Sequence, residues 1–150
     1  MIENSDYEVS YNNGDFINVG QYKVIVTGIN NYTGTITYTV TISPKSITDI
    51  EFNLSGTEFI YSGLAQKPSV TNSSGLVENT DYSIYYSGTY TNTGEYIVTV
   101  TGIGNYTGSK EYTFTIIPKN INTIEFNYSN NIEYSGSELN SNVECNLVIG

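Results

Sequence analysis

The chain has 150 residues and a formal net charge of −10, from five Lys against fifteen Asp and Glu. It contains no Arg, His or Trp. It therefore offers neither a basic patch for a phosphate backbone nor the usual general base, metal ligand and bidentate anion clamp, and nucleic-acid binding and enzymatic activity are not expected.

Fifteen Tyr with abundant Thr, Ile and Val form a strand-making composition, because β-branched and aromatic side chains pack well on a pleated, half-buried surface. The opening residues lack a basic segment followed by an apolar one, and no apolar run approaches membrane-spanning length. No membrane insertion is expected within this segment, and any export signal or anchor is expected outside it.

In chain order, the first predicted strand is Asp6–Tyr11. A second follows Gly20, in Gly-Gln-Tyr-Lys-Val-Ile-Val-Thr-Gly, and after the Gly28–Gly34 corner a third begins near Tyr38. Beyond Pro44-Lys45 come strands at Ile47–Phe52, at Glu58–Tyr61 and around Pro68–Val70. Strict alternation then marks three more. Tyr82, Ile84 and Tyr86 face one side and Ser83 and Tyr85 the other. Tyr96, Val98 and Val100 alternate with Ile97, Thr99 and Thr101, and Tyr112, Phe114 and Ile116 alternate with Thr113 and Thr115. No stretch has helical periodicity, so the chain is expected to be all-β.

The chain also repeats itself. Asp6–Tyr11 (DYEVSY) returns as Asp81–Tyr86 (DYSIYY), GQYKVIVTGINNYTG from Gly20 returns as GEYIVTVTGIGNYTG from Gly94, and YTVTISPKSITDIEFN from Tyr38 returns as YTFTIIPKNINTIEFN from Tyr112. Pro118 minus Pro44 gives a period of 74 residues. A period this long holds a whole small domain rather than a solenoid rung. About six short strands between Gly, Asn and Ser turns suggest a small antiparallel β-sandwich in tandem copies, with a β-grasp arrangement as the alternative.

The corner recurs with the period. Gly28 with Gly34, and Gly102 with Gly108, are expected to take positive φ where the chain bends, and Asn31 and Asn105 to cap the bend. Tyr32 and Tyr106 are expected to bury their rings beneath it with the hydroxyl tied to backbone, as a tyrosine corner does.

Tyr-Ser-Gly (Tyr61–Gly63 and Tyr134–Gly136), Thr-Asp-Tyr, the run Gly-x-Tyr-x-Val-x-Val-x-Gly-x-x-Asn-Tyr-Thr-Gly and Tyr-Thr-Phe-Thr-Ile follow in fixed order. This order resembles the tandem bacterial Ig-like surface repeats of the MBG and YDG type, over nearly the whole chain. Ser62 stands where Asp is common, and the third copy is shortened towards Cys145. The resemblance implies an Ig-like sandwich, an extracellular place on a bacterial cell surface, and a stalk or spacer role in an adhesin-like protein, with no catalytic residues and no cofactor to carry over.

Other chemistry has little to rest on. Cys145 is the single cysteine, so no intrachain disulfide framework exists, and an incidental cysteine is the simplest reading of its thiol. Asp49 with Glu51, and Asp6 with Glu8, alternate along predicted strands as a solvated face, and no calcium loop or other metal site is expected. Lys45 and Lys119 read as solvated linker residues.

The resemblance sets a phase. Residues 1–44 are the C-terminal half of a repeat, 45–118 a complete repeat and 119–150 the N-terminal half of another; the alternative is two phase-shifted units, 1–75 and 76–150. In the first phase the end pieces are complementary halves of one fold. They are expected to lie at opposite ends and to complete each other between molecules, head to tail. The expected partners are therefore neighbouring repeats or further copies of the chain. A glycan- or host-protein-binding module is the alternative function, favoured only by Tyr85 and Tyr90 on an exposed strand.

Overall fold

A computed structural model of the chain describes residues 1–12, 14, 16–128, 131–138 and 143–145. It is nearly all β. In order, the strands are β1 (Tyr7–Asn12), β2 (Gly20–Gly28), β3 (Thr35–Ile42), β4 (Lys45–Ser46), β5 (Phe52–Leu54), β6 (Glu58–Ile60), β7 (Val70–Asn72), β8 (Tyr82–Tyr86), β9 (Gly94–Gly102), β10 (Tyr106–Thr107), β11 (Ser109–Ile117), β12 (Phe126–Tyr128) and β13 (Val143–Cys145). They form sheets ordered β1-β2-β3, β6-β11-β9-β8, β10-β4, β5-β7 and β12-β13. Among the described residues the one helical element is a single 3-10 turn, Ile121–Thr123, capped by the Asn120 side chain and burying nothing. This gives no packed helix of the kind a β-grasp fold needs, and among the described residues no helix is long and apolar enough to cross a membrane.

The chain divides into two compact units. The first joins Met1–Glu51 with Asn72–Ile84 and Val100–Lys110. It contains the antiparallel meander β1-β2-β3, in register from Tyr7 opposite Gly28 to Asn12 opposite Lys23, and from Gly20 opposite Ile42 to Thr27 opposite Thr35. Its buried side chains are Tyr22, Ile47, Ile50, Tyr82 and Val100. The second joins Phe52–Thr71, Tyr85–Thr99 and the chain from Glu111 onward. Its core holds Phe52, Pro68, Val98, Phe114 and Ile116, with Phe114 stacked on Tyr96 at 5.4 Å and meeting the edge of Phe59 at 5.9 Å.

The pleat explains the alternation. Along β9, Val98 and Val100 are fully buried, Thr99 between them is half-buried, and Ile97 and Thr101 on either side are exposed. β3 is the exception: all its residues but Ile42 are exposed, including Ile36, Tyr38 and Val40. In β11, which repeats β3 at a distance of 74 (Phe114 minus Val40), the residues matching Val40 and Ile42 are the buried Phe114 and Ile116.

Two expectations about strands are corrected. Ile47–Phe52 is not one strand, because Ile50 N donates to Ile47 O at 3.0 Å and closes a turn between β4 and β5. The turn brings Ile47, Ile50 and Phe52 all into the interior, which the two-residue period of a strand forbids. Nor is the pairing purely antiparallel. β6 runs parallel to β11, with Thr115 opposite Glu58 and Ile117 opposite Ile60, and β4 runs parallel to β10.

Candidate functional site

The corner is a backbone structure that appears twice with the same bonds. Gly28 N donates to Gly34 O, and Gly102 N to Gly108 O, each at 2.9 Å; Tyr32 N donates to Ile29 O, and Tyr106 N to Ile103 O, each at 3.0 Å. Each corner is tied to the turn before its first strand, through Ile29 N to Asp6 O and Ile103 N to Asp81 O. That turn is closed by the same aspartates. Asp6 accepts from Ile2 N at 2.7 Å, and Asp81 from Val77 N at 2.9 Å. The expected solvated face at Asp6 is thus a capped turn, since a short carboxylate can satisfy a nearby amide that strand pairing leaves unmet.

The glycines do two different jobs. Gly34 and Gly108 have φ of 99° and 88°, as expected of residues at a sharp bend. Gly28 and Gly102 do not take positive φ; they are needed because a Cβ there would lie 2.9 Å from Thr33 N or 2.8 Å from Thr107 N. The asparagines do not cap their own corners. Asn105 Oδ1 accepts from Val19 N at 2.8 Å and its Nδ2 donates to Asn18 Oδ1 at 2.9 Å, so it binds the segment that precedes β2. Among the described residues the Asn31 amide has no partner, and it is Asn30 that ties the first corner down, donating to Ser5 O at 2.8 Å.

Neither corner tyrosine is buried as expected. Tyr32 is 46% exposed and Tyr106 half-buried, and no hydroxyl bond is made by either among the described residues. The hydroxyl-to-backbone tie belongs to other tyrosines. Tyr22 Oη donates to Asn18 O at 2.7 Å and Tyr96 Oη to Asn92 O at 2.8 Å. These bonds reach four residues upstream, around Gly20 and Gly94, so the recurring Asn-x-Gly-x-Tyr was the signal that sequence reasoning passed over.

The two corners differ in what they receive. Lys45 N donates to Asn105 O and Ile47 N to Thr107 O, both at 2.9 Å, so the connector after Pro44 lies as β4 alongside β10. It is a paired strand and not a solvated linker, although the Lys45 side chain remains exposed. Ile47 follows it into the interior and is fully buried. A Cβ at Gly108 would meet Ser46 Oγ at 3.3 Å and Thr48 Cγ2 at 3.6 Å, whereas a Cβ at Gly34 would meet nothing within 4 Å. The first corner instead borders an open cleft of about 300 Å³ that includes Gly28, Tyr32, Gly34 and Ile36. A larger cleft of about 560 Å³ is bounded by Asn92, Thr93, Pro118, Lys119, Ile121 and Ile124, with Tyr61.

Other surfaces carry less chemistry. Lys67 Nζ sits 4.6 Å from the Tyr86 ring, and Tyr90 packs edgewise on Tyr86 at 5.9 Å, which leaves Tyr85 as the exposed aromatic of β8. Among the described residues no three His, Cys, Asp or Glu side chains gather as a metal site. The side chain of Cys145 lies outside the described residues. No family model, curated protein or solved structure matches the chain.

Proposed function

We propose that the chain is a structural spacer built of tandem Ig-like modules, belonging to the stalk of an adhesin-like protein on a bacterial surface and carrying no catalytic centre. The observation that carries this reading is the joint at the Asn105 corner: the connector Lys45–Ser46 opens the complete copy by pairing backbone to backbone with that copy's own Tyr106–Thr107 corner, and Asn105 of the same corner binds Asn18 and Val19 of the preceding copy. Such a joint transmits position rather than chemistry. The directional bonds of the Asn105 side chain, with the connector seated beside them by the buried Ile47, fix how one copy follows another, as a spacer requires. The outward residues of β9 and β11 are Glu95, Ile97, Thr101, Glu111 and Thr113, with Tyr85 of β8 the exposed aromatic beside them. A lone tyrosine among Thr and Glu supports the spacer over a glycan- or protein-binding face, which needs a row of aromatic anchors.

The test is a fusion of two chains in one polypeptide, followed by amide hydrogen exchange. A spacer predicts that Tyr32–Gly34 of the second copy become protected where the first copy's connector enters. Unprotected corners at the fused joint, or a ligand whose binding is lost in Tyr85→Ser, would contradict it.

A further inference from the structure

The first corner and the tail match as socket and plug. In the described structure the Asn105 corner is filled by Lys45–Ile47, with Asn105 bonded to Asn18 and Val19. Moved by one period, Lys45–Ile47 become Lys119–Ile121, Asn18 and Val19 become Asn92 and Thr93, and the receiving corner becomes Gly28–Gly34 with Asn31. Every one of these counterparts is open. Asn31 lacks a side-chain partner among the described residues, Gly34 has nothing against it, and Ile121 is 63% exposed where Ile47 is fully buried. The larger cleft is walled by the displaced set itself: Asn92, Thr93, Lys119, Ile121 and Ile124.

The rest of the tail fits the exposed face of β3. Phe126 repeats the buried Phe52, and the tail already pairs β12 with β13, as β5 pairs with β7 in the complete copy. From Phe52 to Tyr61 is nine residues and from Phe126 to Tyr134 eight, so Ile132 stands in the place of Phe59. Because β6 runs parallel to β11 with Phe59 opposite Ile116, the tail is assigned a parallel register on β3 with Ile132 opposite Ile42 and Asn131 opposite Thr41. β3 is an edge strand with no partner on its outer side among the described residues, and Ile36, Tyr38 and Val40 are uncovered. Ile36 stands in the place of Lys110, whose Nζ donates to Ile50 O, and Ile124 in the place of Ile50, so between two copies an apolar pair would stand where that bond is made.

From this complementarity we infer that residues 119–128 and 131–134 of one chain dock on the Gly28–Gly34 corner and β3 of a second copy, joining chains head to tail. The inference rests on the module reading and names the partner of the same joint. Plug and socket are different surfaces, so each added copy leaves one of each exposed and the contact does not close on itself.

The test uses the full chain at rising concentration, by light scattering and sedimentation. Growth in mass with concentration is expected, weakened about ten-fold or more by Ile121→Asp, which places a charge where an apolar side chain is to be buried. Ile121 is exposed, so the variant's unchanged melting curve separates lost docking from lost folding. In a Cys145→Ser background, Thr41→Cys with Asn131→Cys should oxidise to a ladder of covalent oligomers. A chain that stays monomeric to its solubility limit, or a disulfide formed only within one chain, would overturn the inference. If the chain is monomeric yet the fused two-copy chain protects its inner corner, self-assembly alone fails; if that corner is unprotected too, the spacer reading fails with it.

Discussion

At the scale of single residues, the two copies form an internal control, because one side chain or glycine occurs in two settings. Gly34→Ala and Gly108→Ala both force a Cβ onto positive φ, at about 1–3 kcal/mol each. Only Gly108 also has Ser46 Oγ at 3.3 Å, so Gly108→Ala should be the more destabilising of the pair in urea unfolding. Equal losses would show that Ser46 yields without cost. Tyr96→Phe removes the hydroxyl bond to Asn92 O and should cost about 0.5–1.5 kcal/mol, and Tyr22→Phe a similar amount. Tyr32→Phe, with no hydroxyl partner to lose among the described residues, should be near neutral, and a larger loss there than at Tyr96 would restore the tyrosine-corner role to Tyr32. The glycine-bounded bend was legible in the sequence, but the roles of its residues were not. Spacing alone identified Gly28 and Gly102, yet their need for glycine is a backbone contact with Thr33 and Thr107 rather than a dihedral, and contacts of that kind leave no pattern along a chain.

At the scale of elements, alternation made β8, β9 and β11 legible, since a sheet with one buried face writes a two-residue period into its strands. The connector was not legible. Ile47, Ile50 and Phe52 fit no single period because a turn intervenes, and the parallel partners of β4 and β6 lie far away in sequence, at Tyr106 and Thr115. The repeat offers a direct comparison here as well. Ile47→Ala should cost about 2–5 kcal/mol, as for other buried aliphatic truncations, whereas Ile121→Ala in dilute solution should fall within about 0.5 kcal/mol of wild type. Probes in each compact unit are needed, because two units need not melt together. If Ile121→Ala costs as much as Ile47→Ala in a dilute monomer, the tail is already seated within its own chain.

At the scale of the whole molecule, the proposed spacer rests on the joint at the Asn105 corner. Composition argued against nucleic-acid binding and catalysis, and the 74-residue period led to the expectation of tandem copies, but the bonds of Asn105 to Asn18 and Val19, across 86 or more positions of sequence, left no pattern to read. The amides of Lys45 and Ile47 report on the joint most directly, since each donates to the corner and neither is bonded within its own segment. Site-resolved hydrogen exchange of the wild-type chain should find both strongly protected, on a par with the amides of β9, and should find the protection lost when Ile47→Asp releases the connector. Exchange at Lys45 and Ile47 as fast as in an unstructured peptide would contradict the account.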